Sequence, residues 1–158
     1  MTSRPLLTVV LAAGKGTRMK SALPKVLHRV GGLSLLGHVL RTVGALGASR
    51  TAVVIAPQMD DVRAEVAKRL PSAEVFVQEQ QLGTAHAVLS ARPAIVGHQG
   101  DVLVAFGDTP LILPETLQSL LDCLNDDTPV AVLGFEAADP TGYGRLLQDA
   151  DGNVVAIR

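Results

Sequence analysis

Apolar and polar positions along this chain follow two alternating rhythms. Leu6 to Ala13 is an apolar run broken only by Thr8, the pattern of a strand covered on both faces. From Ser34 to Leu46, apolar residues recur at Leu35, Leu36, Val39, Leu40, Val43 and Leu46. That spacing predicts a helix, with Gly47 as its stop. A second strand is predicted at 51–56 and ends at Pro57. An amphipathic helix follows over Asp60–Leu70, then a strand at 73–78 and a helix at Thr84–Ala91. Residues 101–108 read as a fourth strand, Pro114–Leu124 as a helix with proline in its first turn, and 129–136 as a fifth strand. Residues 144–158 read as a β-hairpin turning at Asp151-Gly152-Asn153.

This alternation predicts an α/β fold with a mostly parallel sheet and helices on both faces. The length suits one domain. Ligands of such sheets bind at the carboxyl ends of the strands. Four short polar or glycine-rich segments fall there, at 13–18, 78–84, 107–110 and 139–145.

Charge sharpens the picture. The net charge is −1, yet residues 1–59 contain no acid and eight bases, five of them between Lys15 and Arg29. A local positive field favours an anionic ligand. The chain has three Phe, one Tyr and no Trp, and none of them interleaves with the basic segment. That argues against a nucleic-acid groove, which uses aromatic platforms. A small phosphorylated ligand fits better. One cysteine, Cys123, excludes an internal disulfide framework and suits a reducing compartment. No apolar run has the length of a membrane span, and the N-terminal run reads as a strand rather than a signal peptide. A cytoplasmic protein without a membrane partner is the resulting expectation.

The stretch LAAGKGTRMKSALPK, Leu11 to Lys25, carries the chemistry. Its glycines let backbone N–H groups approach a ligand, Arg18 offers a planar fork for phosphate oxygens, and Lys25 offers a mobile point charge. The dinucleotide fingerprint fails because Met19 stands where a third glycine is needed. The Walker A pattern fails because Thr17 follows Gly16. A tight turn with solvated cations is the alternative left open at this point.

LAAGKGTRM followed by LPK resembles the first loop of the sugar-phosphate nucleotidyltransferases. LPKVLH (23–28), QEQQLGTAHA (78–87), FGDTPLI (106–112) and DPTGYGR (139–145) are similar, in order and spacing, to one subgroup. This is the uridylyltransferase part of the bifunctional bacterial enzymes that make UDP-N-acetylglucosamine for the cell envelope. The resemblance spans essentially the whole chain. It implies a Rossmann-like nucleotidyltransferase fold with a mostly parallel mixed sheet. It also implies that UTP and N-acetylglucosamine 1-phosphate (GlcNAc-1-phosphate) give UDP-GlcNAc and pyrophosphate, with Mg²⁺ assisting. Such chemistry asks for positioning and charge neutralisation.

By resemblance, Leu11, Ala12, Ala13 and Gly14 line the uridine with backbone groups. Arg18 neutralises the departing pyrophosphate and Lys25 holds the α-phosphate. Gln78 with Gly83 and Thr84 reads uracil, and a side-chain amide can both donate to and accept from that edge. Phe106 and Gly107 belong to the nucleotide and substrate site, Asp108 binds Mg²⁺ and Gly144 contacts the sugar. Asp108 has an alternative reading as a cap of the turn into Pro110. Lys15 and Lys20 read as solvent-facing, His86 as a packed helix residue, Cys123 as buried or half-buried, and Tyr143 as packing beneath the sugar loop. Phe106 stands where the family more often has tyrosine. The family continues past this point into a further sugar-contacting acid, an Asn-Thr-Gly motif, a second metal ligand and a trimer-forming acetyltransferase β-helix. The expectation is therefore a truncated nucleotidyltransferase domain that turns over weakly or not at all. The last strand of its hairpin would present an open edge.

Overall fold

The structure, a computed structural model, describes residues 4–14, 16 and 19–158. The chain divides into two compact units, Met1–Leu121 and Asp122–Arg158.

The first unit is built on four parallel strands. β1 (Leu6–Leu11) lies between β4 (Arg50–Ile55) and β6 (Asp101–Phe106), and β5 (Glu74–Val77) pairs with β4 on its far side. The registers pair Leu7 with Arg50 and with Val102, and continue without a slip to Leu11 beside Val54 and Phe106. Paired residues of parallel strands share a face, so the two sides of the sheet separate cleanly. Leu6, Val10, Val53, Ile55 and Leu103 pack with α1 (Leu35–Ala45), α2 (Asp60–Arg69) and α5 (Pro114–Asp122). Leu7, Val9, Ala52 and Val54 pack with α3 (Thr84–Ser90) and α4 (Arg92–Ile95). The expected α/β layering with helices on both faces is therefore observed. The antiparallel pairs stand apart from this sheet. They are a two-residue ribbon, β2 (Arg29–Val30) with β3 (Leu33–Ser34), and β7 (Leu146–Gln148) with β8 (Val154–Ile157).

Local chemistry explains the elements. Thr8 Oγ1 donates to Thr51 Oγ1 at 2.8 Å, so the one polar position in the first apolar run is satisfied across the sheet. Ser34 caps α1: its hydroxyl accepts from Gly37 N at 2.9 Å and donates to Glu65 Oε1 at 2.6 Å. Glu65 also receives Arg69 Nε at 2.9 Å, one turn on. α2 has acids in its first turn and bases in its last, matching the helix dipole, and buries only Val62 and Val66. Gly31 and Gly32 both take positive φ, 58° and 83°, and turn the small ribbon.

Three expectations fail. Residues 129–136 form no strand, and Val130 and Phe135 are each 73% exposed. Apolar alternation supplies a face but not a ladder partner, and among the described residues this segment has none. Cys123 is exposed, because it follows α5 and lies beyond Leu117, Leu120 and Leu121, which hold that helix to the core. Tyr143 is 56% exposed and meets Phe135 edge-on, with ring centroids 5.2 Å apart. α4 was not foreseen, since four residues are too short to show a period.

The cap network has a measurable consequence. Burial pulls the Glu65 carboxyl upward, but the Ser34 hydrogen bond and Arg69 together outweigh it and leave it below its ordinary 4.5. A depressed carboxylate stabilises the fold above its unfolded pKa and loses that contribution as pH falls through the folded value. Ser34→Ala is expected to cost ~1–2 kcal/mol in urea unfolding at neutral pH. The cost should shrink below the ordinary glutamate range, because part of it depends on ionised Glu65.

Candidate active site

The carboxyl ends of β1, β5 and β6 open onto one cavity of about 570 Å³. Two backbone bonds extend the sheet beyond its strands and set the floor. Ala12 N donates to Val54 O at 2.7 Å, and Gly107 N donates to Leu11 O at 2.9 Å. The second contact leaves little room for a side chain: a Cβ on Gly107 would sit 3.1 Å from Leu11 O and 3.3 Å from Ala12 Cβ. Leu11, Ala13 and Gly14 line the cavity from β1, Gln78, Gly83 and Thr84 from the segment after β5, and Phe106 and Asp108 from the tip of β6. Ala12 and Gly107 are buried beneath them.

Lys25 enters from a single 3₁₀ turn, Lys25–Leu27, which follows Pro24. Its Nζ stands 2.7 Å from Asp108 Oδ2. The two side chains are 41% and 33% exposed, so the pair contributes only ~0–1 kcal/mol to stability. Its interest is chemical. The cation expected to hold phosphate and the carboxylate expected to hold a metal neutralise each other across the cavity. Gly16 faces Lys25 with φ +60°, and a Cβ there would meet Lys25 Cβ at 2.6 Å. Glycine is needed at that position twice over.

Gln78 is buried, 4% exposed, just past β5. Its Nε2 donates to Gly83 O at 3.2 Å and lies 3.2 Å from His86 Nδ1 on α3. His86 is thus more than the packed helix residue the sequence suggested. Gln81 Nε2 donates to Ala13 O at 2.6 Å and ties the segment after β5 to the loop after β1. Gly83 takes φ +100° as it enters α3.

Arg18, with Lys15 and Thr17, lies outside the described residues. Lys20 is exposed, as anticipated. Gly144 belongs to the second unit, beside the hairpin strand β8, where a Cβ on it would meet Arg158 O at 3.5 Å. Gly16, one of the loop glycines, and Met19 also line the cavity, as do Val26, Gln81 and Ala87, which were not singled out in the sequence. Gln81 stands within QEQQLGTAHA, so its motif marked it, but glutamine reach across a cavity mouth leaves no periodic signal. Among the described residues no three His, Cys, Asp or Glu side chains gather into a metal site. Likewise no helix is long and apolar enough to cross a membrane.

The chain matches a known group. The family profile of the MobA-like NTP transferase domain fits residues 8–150. The chain belongs to the MobA-like NTP transferase family. It is 60% identical, over its full length, to the bifunctional protein GlmU of Azorhizobium caulinodans, and spans 35% of that protein. Rv0371c of Mycobacterium tuberculosis, solved in complex with manganese, superimposes with TM-score 0.62 at 26% identity, over 77% of this chain and 60% of that one. HddC of Yersinia pseudotuberculosis, complexed with GMP-PN, gives TM-score 0.67 at 25% identity, over 96% and 68%. In the loop after β1, Gly16 is constrained by its positive φ and by Lys25, whereas Gly14 is not.

Two alanine substitutions separate that constraint from loop composition. Gly14→Ala meets nothing within 4 Å and should change stability by no more than ~0.5 kcal/mol. Gly16→Ala must relieve both the positive φ and the Lys25 contact, and is expected to cost ~1–3 kcal/mol by urea denaturation.

Proposed function

We propose that this chain is the nucleotide-binding part of an N-acetylglucosamine-1-phosphate uridylyltransferase. The reaction joins a phosphate oxygen of GlcNAc-1-phosphate to the α-phosphorus of UTP. The bond from that phosphorus to the β-phosphate oxygen breaks, and pyrophosphate leaves with its electron pair. The observation that carries the reading is the meeting of Lys25 and Asp108, 83 residues apart, 2.7 Å from each other in one cavity.

On this reading Lys25 exchanges Asp108 for the α-phosphate, whose charge it neutralises as the new bond forms. Glycines at 14 and 83 allow close backbone approach to the nucleotide. Gln78 faces the base and Phe106 packs at the mouth. The roles of Arg18 at the pyrophosphate and Gly144 at the sugar rest on the resemblance to the uridylyltransferases. A single part-exposed carboxylate suits Mg²⁺, a hard ion that takes one or two carboxylates and completes its shell with phosphate and water. Asp108 would hold it, and when bound it supplies neutralisation of the phosphate oxygens. Trimeric assembly of a longer protein, cytoplasmic action and UDP-GlcNAc as product belong to the same reading.

The test is calorimetric binding of UTP to the chain with and without Mg²⁺. Binding should be saturable and strengthened by Mg²⁺. Asp108→Asn should abolish the Mg²⁺ enhancement while leaving metal-free binding within about threefold, and Lys25→Met should weaken binding in both conditions by about tenfold. UTP binding that ignores both substitutions would contradict the proposal.

A further inference from the structure

The amide of Gln78 has a fixed orientation, and two different groups fix it. Gly83 O can only accept, so the atom 3.2 Å from it must be the amide nitrogen. The same nitrogen lies 3.2 Å from His86 Nδ1. Its second hydrogen therefore points to that ring nitrogen, which must be unprotonated to receive it. The imidazole proton then resides on Nε2. Both donors of Gln78 are spent inside the protein, and its Oε1 is what the amide has left to offer a ligand in the cavity.

An acceptor at that place discriminates between pyrimidines. Uracil presents N3–H, a donor, between two carbonyl oxygens. Cytosine presents a bare N3, an acceptor, which would face Oε1 lone pair to lone pair. A site built around a hydrogen bond rejects the analogue that cannot make it, because a buried polar group is then left unpaired. Were His86 to present a proton at Nδ1, the amide would be pulled the other way, turning its NH₂ outward against the preference of Gly83 O. The half-buried His86 is anchored on α3, whose Ser90 Oγ donates to His86 O at 3.0 Å.

We propose that His86 is a positioning residue for base choice: by accepting from Gln78 Nε2 it locks the amide with its oxygen toward the ligand, selecting uridine over cytidine nucleotides. This rests on the nucleotide-site reading above and adds the residue that sets its specificity.

The experiment compares UTP and CTP binding by calorimetry in Mg²⁺, with tripolyphosphate as a base-free probe. The unaltered chain should favour UTP. His86→Leu keeps the bulk and removes the acceptor, and should reduce the UTP/CTP ratio by about five- to tenfold with tripolyphosphate affinity unchanged. His86→Asn places an oxygen where Nδ1 stood and should hold the ratio within about twofold. Long-range ¹H–¹⁵N spectra of the unaltered chain should find the imidazole proton on Nε2, a readout that survives if a variant fails to fold. A proton on Nδ1, or an unchanged ratio in a folded His86→Leu chain, would overturn the role of His86 alone. Equal affinity for UTP and CTP in the unaltered chain would do the same and leave the nucleotide site standing. Tripolyphosphate binding with no gain from uridine would overturn both readings.

Discussion

The close approach of Gly107 to Leu11 is the contact on which the site depends. A 2.9 Å bond from Gly107 N, one step past β6, to Leu11 O at the end of β1 continues the β1–β6 ladder. A Cβ there would press on Leu11 O at 3.1 Å and on Ala12 Cβ at 3.3 Å. With the two tips held together, Asp108 emerges at the cavity floor opposite the turn that carries Lys25. A larger residue at 107 would require Leu11 and Ala12 to give by a few tenths of an ångström, at the point where the two tips meet. The central strand thus does two jobs. It buries Leu7, Val9 and Val10 completely and delivers the loop that lines the cavity.

The electrostatics follow from that placement. The first 59 residues carry bases without acids, and among the described residues the cavity is lined by one cation, Lys25, and one acid, Asp108. Lys25 and Asp108 neutralise each other at little cost, because both groups remain partly solvated. A ligand bringing phosphate and a divalent cation together satisfies both partners at once, whereas either ion alone leaves one of them unpaired. The Gln81 bridge to Ala13 joins the two rims of the same cavity. The segments after β1 and β5 are therefore one connected set of turns.

Much of this was legible in the sequence, and for identifiable reasons. Buried parallel strands write continuous apolar runs, and Leu6–Leu11 and Arg50–Ile55 were visible as such. The turn around Gly152 also leaves a local signature. Cavity residues were legible where a motif held them: Gly14, Lys25, Gln78, Gly83 and Asp108 all line it. What escaped depends on contacts between distant residues. Residues 129–136 have the alternation of a strand, but sequence does not announce whether a ladder partner exists. His86 looked like packing because its significance lies eight residues away, in the amide it meets. The Lys25–Asp108 pair was foreseen as two separate ligand contacts, and their direct meeting is a property of the folded sheet.

The central claim is that segments from β1, β5 and β6 form one nucleotide site. Amide ¹H–¹⁵N spectra recorded through a titration with Mg²⁺ and UTP test it most directly. The account predicts that the Gly14, Gly83 and Asp108 amides shift together, following one dissociation constant. Shifts confined to a single segment, or different constants for the three, would show that the rim segments do not act as one site.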